Sequence, residues 1–208
     1  MRSFIKKAFF IKKAAVKFCG AVALLFSFSA GGALAENVVT AVTLDPSVTG
    51  SNVLAESYAV QTIASFTTEF TAYETGRNAN IALAAKALNG VYLKPGDIFS
   101  FNDTIGPTTE ANGFKLAKIF IDGEESEGYG GGVCQVSSTL FNTAELAGME
   151  ILERHPHTKR VYYVEEGRDA ATSYGKIDFK FKNTAAVPVR ISTLVKETFV
   201  TINLDALI

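Results

Sequence analysis

The side chains best suited to covalent chemistry are few, and they lie close together in the chain. Beyond the N-terminal region the sequence keeps one cysteine, Cys134, and two histidines, His155 and His157, about twenty residues further on. A thiol with an imidazole in reach is the minimum for nucleophilic acyl transfer. The base takes the thiol proton, the thiolate attacks a carbonyl, and a third group orients the ring. An extended chain separates the two imidazoles by roughly 7 Å, so one of them meets the thiol. His157 is the favoured base and His155 the second candidate. Asp169 is the favoured orienting carboxylate, with Glu153 behind it. Two histidines and one cysteine at this spacing do not make a zinc shell, and no metal or other cofactor is implied.

The segment around the thiol shows how it is presented. Gly128, Gly130, Gly131 and Gly132 surround Tyr129, and then Val133, Val136, Leu140, Ala144 and Ala147 recur on one helical face up to Gly148. This pattern predicts a helix that starts at the thiol and is entered through a glycine loop. Unpaired N–H groups and the macrodipole at a helix start favour an anion, which lowers a thiol pKa. The same groups can hold a developing oxyanion. Glycines allow close backbone approach, so Gly130, Gly131 and Gly132 are candidate substrate contacts. Ser137, Ser138, Arg168 and Tyr174 are further candidates. The bland alternative is a buried cysteine acting as a small hydrophobe.

Other elements follow from periodicity. Tyr58 to Tyr73 alternates like a strand, and Ile81, Ala84, Ala85 and Leu88 mark an amphipathic helix over 77–89 that Asn78 or Asn80 can cap. Ile119–Gly123 predicts a short strand and turn, and 124–127, with three carboxylates, a solvated loop. Ile151 to His157 is expected to be extended, with Ile151, Glu153, His155 and His157 on one side. Val161–Val164 predicts a short strand. Ile177, Phe179 and Phe181 predict a half-buried strand, and 187–195 with 199–204 a hairpin. The expected class is α+β: a single domain over 57–208, with two main helices against an antiparallel-rich sheet.

The N-terminus carries Arg2, Lys6, Lys7, Lys12, Lys13 and Lys17 with no acid, then an apolar run to Phe28, then small residues ending Ala33-Leu34-Ala35. That order predicts a secretory signal peptide over 1–35. Its apolar core is shorter than a membrane span, so membrane contact is expected only if the signal is uncleaved. Residues 36–56 are expected to be a flexible lead. Cleavage would remove Cys19 and leave 14 Lys and Arg against 21 Asp and Glu, a net charge of −7. That balance argues against nucleic acid as a partner. A lone cysteine in an exported protein means either intermolecular pairing or a free, reactive thiol.

The segment Gly130-Gly131-Gly132-Val133-Cys134-Gln135-Val136-Ser137-Ser138-Thr139-Leu140, with Glu153-Arg154-His155-Pro156-His157 and Gly167-Arg168-Asp169-Ala170, resembles the VanW family. Pro95-Gly96-Asp97-Ile98-Phe99-Ser100-Phe101-Asn102 and Ile105-Gly106-Pro107 extend the resemblance upstream. The family was first known from vancomycin-resistance gene clusters, and some members act as L,D-transpeptidases on peptidoglycan through the domain's cysteine. The resemblance therefore implies Cys134 as nucleophile, His157 as base and peptidoglycan stem peptides as substrate. The alternatives are a cysteine amidase or endopeptidase of the wall, and a non-catalytic envelope module linked to glycopeptide response.

Overall fold

The computed structural model describes residues 59–121 and 124–208. The expected signal peptide and lead lie outside them. The described chain is α+β, with antiparallel sheets and three helices. Strands β1 (Val60–Glu69), β2 (Tyr92–Leu93), β8 (Val189–Lys196) and β9 (Phe199–Leu207) form one sheet in the order β1-β9-β8-β2. Strands β3 (Ile98–Ser100), β6 (Glu150–Glu153) and β7 (Lys180–Lys182) form a second, in the order β3-β7-β6, and β4 (Leu116–Ile121) pairs with β5 (Glu124–Tyr129) as a ribbon. The helices are α1 (Thr75–Leu88), α2 (Phe101–Ile105) and α3 (Val133–Leu146). Among the described residues no helix is long and apolar enough to cross a membrane.

Both long helices fall where periodicity places them, because each has an apolar face that the core must cover. Ile81, Ala84, Ala85 and Leu88 of α1 are fully buried, as are Val136, Leu140 and Ala144 of α3. They meet the alternating inward residues Ile191, Ile202 and Leu204 of the large sheet, Phe181 of the small one and Phe179 just before it, the strand expected through Ile177, Phe179 and Phe181 being confined to β7. Phe99 stacks on Phe181 with ring centroids 5.0 Å apart, within the range where aromatic pairs add stability beyond burial.

Several expectations are corrected. Neither Asn78 nor Asn80 caps α1, whose N-cap is Glu74. Asn78 donates instead to Thr71 O and Ala72 O. Asn80 is fully buried and ties α1 to the glycine loop, donating to Gly131 O (3.0 Å) and Lys115 O (2.9 Å) and accepting from Lys115 N (2.7 Å). Residues 124–127 belong to β5, not a loop, because a two-stranded ribbon can leave both faces in water. Val161–Val164 forms bends where a strand was expected. A short third helix, α2, appears after β3, capped by Ser100 Oγ accepting from Asp103 N at 3.1 Å.

Candidate active site

Cys134 is the second residue of α3, and its thiol is half-buried and free. The turn into the helix is built from glycine for steric reasons. Gly132 sits at φ 102°, and a Cβ there would lie 2.9 Å from Arg77 Cγ and 3.0 Å from Arg77 O. A Cβ on Gly131 would fall 2.4 Å from Lys118 O, and one on Gly130 2.5 Å from Thr108 Cβ. The close approach glycine permits here is thus made by the protein's own α1, β4 and neighbouring loop. Val133 N and Gln135 N donate to Gly130 O and Gly132 O, each at 3.0 Å. The N–H of Cys134 itself has no partner among the described residues.

A polar stripe then runs along α3 from the thiol. Cys134 Sγ approaches Thr172 O at 3.5 Å and Thr172 Oγ1 at 3.9 Å. Ser138 Oγ accepts from Ala170 N at 2.9 Å, and Asn142 Nδ2 donates to Arg168 O at 2.7 Å. Residues four apart on a helix rise about 6 Å, and residues two apart in extended chain advance about 6.6 Å. The two repeats match, so 134, 138 and 142 meet 172, 170 and 168 in antiparallel order. Ser137 joins the stripe by donating to Ala170 O at 2.6 Å. Both serines are fully buried, which makes them supports of this loop and keeps them out of any open pocket.

The other side of the same loop holds the imidazole. Ala171 N donates to His155 O at 2.7 Å, which brings residues 155–157 alongside 169–171. Asp169 Oδ2 then accepts from His157 N at 2.6 Å and lies 2.5 Å from His157 Nδ1. Arg154 holds the carboxylate from behind, donating from Nη2 to Asp169 Oδ1 at 2.9 Å and from Nε to Asp169 O at 2.5 Å. With Nδ1 on Asp169, Nε2 is the nitrogen left without a protein carboxylate, and the His157 ring lies near enough to Cys134 for each group to shift the other's pKa. The structure therefore gathers Cys134, His157 and Asp169 around the loop 168–172, with His157 bonded to Asp169 and Cys134 against Thr172.

Electrostatics in this cluster shift Cys134 and His157 each toward its charged form. Burial pushes the Cys134 thiol up, but the hydrogen bond and charge of His157, with Thr172, outweigh it and bring the pKa below the ordinary value. Burial pushes His157 down, and its contacts with Cys134 and then Asp169 raise it above the usual imidazole range. Burial pushes Asp169 up, while the backbone N–H and ring of His157 and the Arg154 charge bring it below the usual carboxylate range. Tyr163, ring edge against His157 at 6.5 Å between centroids, is held well above the phenol range by burial and the sulfur charge.

The remaining candidates stand elsewhere. His155 Nε2 lies 3.1 Å from Glu153 Oε1, and its ring is 41% exposed. Strand β6 ends at Glu153, so the expected alternation does not carry through Pro156 to His157. Glu153 pairs with Lys180 and accepts from Asp178 N, which holds it down at about 2; it orients neither imidazole toward the thiol. Arg168 bonds Asn142 Oδ1 and Glu145 near the far end of α3. Tyr174 is exposed in the turn between Ser173 and Ile177. Arg154, Thr172 and Tyr163 are site residues that sequence reasoning missed. The legible signal was the polar spacing 134, 138, 142 on a helix whose other face is apolar. No group of His, Cys, Asp and Glu suited to a metal ion occurs among the described residues.

A family model described as VanW like protein matches residues 76–204, more than half the chain and all three members of the cluster. The chain belongs to the VanW family. It is 45% identical over 131 residues to a Bacillus subtilis (strain 168) protein named "Uncharacterized protein YoaR", covering 63% of this chain and 43% of that one. It is 32% identical over 116 residues to the "Vancomycin B-type resistance protein VanW" of Enterococcus faecalis (strain ATCC 700802 / V583), covering 53% and 42%. The chain thus spans less than half the length of these curated relatives. No solved structure matches it.

Proposed function

We propose that this VanW-family chain is an exported cell-envelope enzyme that transfers an acyl group between peptidoglycan stem peptides through Cys134. The observation that supports this reading is an imidazole anchored at Nδ1 by Asp169 beside a free thiol whose charged form it favours, at the start of α3. A structural cysteine needs no such partner. The basic-apolar-small order of residues 2–35 supports export.

The reaction balances without a cofactor. The Cys134 thiolate adds to an amide carbonyl of the donor stem, and the oxyanion meets the free Cys134 N–H at the start of α3. His157 gives its Nε2 proton to the departing amine as the C–N bond breaks, which leaves a thioester. An amine of a second stem attacks the thioester, His157 takes its proton, a new amide forms, and the thiolate returns. Asp169 holds the ring and offsets its charge throughout.

The product distinguishes transfer from hydrolysis. Incubation with stem tetrapeptide and analysis by liquid chromatography and mass spectrometry is expected to yield a cross-linked dimer with release of the terminal residue. A tripeptide alone would reassign the chain as a hydrolase, and unchanged tetrapeptide would remove the enzymatic reading in favour of a binding module.

A further inference from the structure

Among the described residues strand β1 is an edge strand that pairs with β9 alone. Phe70 N donates to Thr198 O at 2.7 Å, in register with the pairs Thr68↔Val200 and Phe66↔Ile202. Antiparallel ladders alternate. The N–H and C=O groups of Ser65, Thr67 and Glu69 therefore point away from β9, out of the sheet. Glu69 O verifies the direction, since it accepts from Gln135 Nε2 at 2.9 Å. The edge thus ends where the side chain of Gln135, the residue after Cys134 in α3, holds the Glu69 carbonyl.

A groove of about 460 Å³ lies along this edge, lined by Thr67, Thr68, Glu69, Phe70 and Thr71 with Tyr162 and Tyr163 opposite. Alternate side chains of a strand point to opposite faces. The groove touches three consecutive strand residues, Thr67, Thr68 and Glu69, and so follows the strand's edge at its C-terminal end, not one of its faces. Gln135 braces the junction: Nε2 also donates to Thr68 Oγ1 at 2.9 Å, and Oε1 accepts from Arg77 Nη2 at 2.6 Å. The Arg77 guanidinium in turn sits 5.8 Å from the Tyr162 ring centroid. Tyr163 forms the opposite wall and touches the His157 ring.

We infer that the groove and the strand edge leading away from it bind the acyl-donor peptide in extended form, hydrogen-bonded as an added strand to the outward groups of Ser65 and Thr67 and the N–H of Glu69, with the scissile carbonyl delivered to Cys134. This rests on the acyl-transfer reading and adds where the donor lies. An added strand gains its affinity from main-chain bonds and its specificity from the walls. The occupant is a peptide because the outward groups of Ser65 and Thr67 are backbone donors and acceptors in strand spacing, and the groove's Tyr163 wall meets the His157 ring.

Thr67→Pro tests it. Proline removes the outward N–H at 67 and no bond to β9, so the edge position tolerates it. Thr67→Ala is the comparator, because both variants lose the Thr67 Oγ1–Thr201 Oγ1 contact of 2.7 Å. Thioester formation with stem tetrapeptide, followed by intact mass, is expected to be about tenfold slower in Thr67→Pro than in Thr67→Ala, the scale of a lost hydrogen bond. Alkylation of Cys134 by iodoacetamide should proceed equally in both. Equal acylation rates overturn the proposal. If wild type forms no thioester, the acyl-transfer reading fails, and backbone amide shifts of Cys134→Ala titrated with the tetrapeptide decide the groove. Shifts centred on Ser65, Thr67 and Glu69 support it. Their absence, or shifts explained by self-association through β1, overturns it.

Discussion

Replacing His157 with glutamine is expected to raise the alkylation midpoint of Cys134, from below the ordinary thiol value to above it. The direction follows from the opposing influences on the sulfur. Burial is the largest and pushes the thiol up; His157 supplies most of what pulls it down, with Thr172 contributing less. Glutamine keeps a polar side chain at the position but carries no charge, so burial then dominates. Acyl transfer loses both the thiolate and the proton carried to the leaving amine, and a fall of about 10²–10⁴-fold is expected. His155→Gln is the internal control. Its ring faces Glu153 and solvent, and the alkylation profile should be unchanged. The rate of iodoacetamide reaction across pH 5 to 10, roughly bracketing both reference values, reads out both variants.

Asp169→Asn is expected to cost activity and stability together. The carboxylate accepts three hydrogen bonds, from His157 N, His157 Nδ1 and Arg154 Nη2. An amide has one accepting oxygen. Either it faces His157 and presents its NH₂ to the Arg154 guanidinium, or it faces Arg154 and presents its NH₂ to the His157 backbone and ring. In the second pose the ring proton is driven to Nε2 in the neutral tautomer, where it can no longer accept the thiol proton. A loss of about 10³–10⁴-fold in kcat is expected by analogy with other orienting carboxylates. The mismatched buried donors cost about 1–3 kcal/mol of folding stability, measurable by urea unfolding. The pH dependence has a definite sign. Because the folded pKa of Asp169 is depressed, its contribution is fully present above the unfolded value of about 3.9. It is lost as pH falls through the folded value. His157 is raised, so its contribution is full below about 6.5 and disappears as pH rises through the folded value. The wild-type unfolding profile should lose stability at both limits, and the variant should lose less at the acid one.

What was legible in the sequence was what periodicity records. The apolar steps of α1 and α3, and the alternation at Phe179 and Phe181 and through β8 and β9, each describe an element with a side that must be covered. Val161-Tyr162-Tyr163-Val164 has the composition of a strand and forms bends. Its aromatic rings pack on His157 and near the Arg77 guanidinium, so tertiary contacts override local propensity. The glycine loop was read as room for a ligand, whereas α1 and β4 take that room. Within the cluster, the thiol and its preferred partners could be named because the chain offers few candidates. The supports could not. Arg154, Thr172 and the buried serines act through a loop whose closure against α3 depends on pairing a four-residue helical repeat with a two-residue extended one. Such pairing is visible only once both segments are placed.

The central claim is that Cys134 becomes acylated by a peptide amide. Intact-mass analysis of the protein after incubation with stem tetrapeptide tests it most directly. The account predicts a thioester adduct on wild type with the mass of the donor acyl group, released by hydroxylamine and missing from Cys134→Ala. An unmodified wild-type mass under conditions where the thiol still alkylates, or the same adduct on Cys134→Ala, would contradict it.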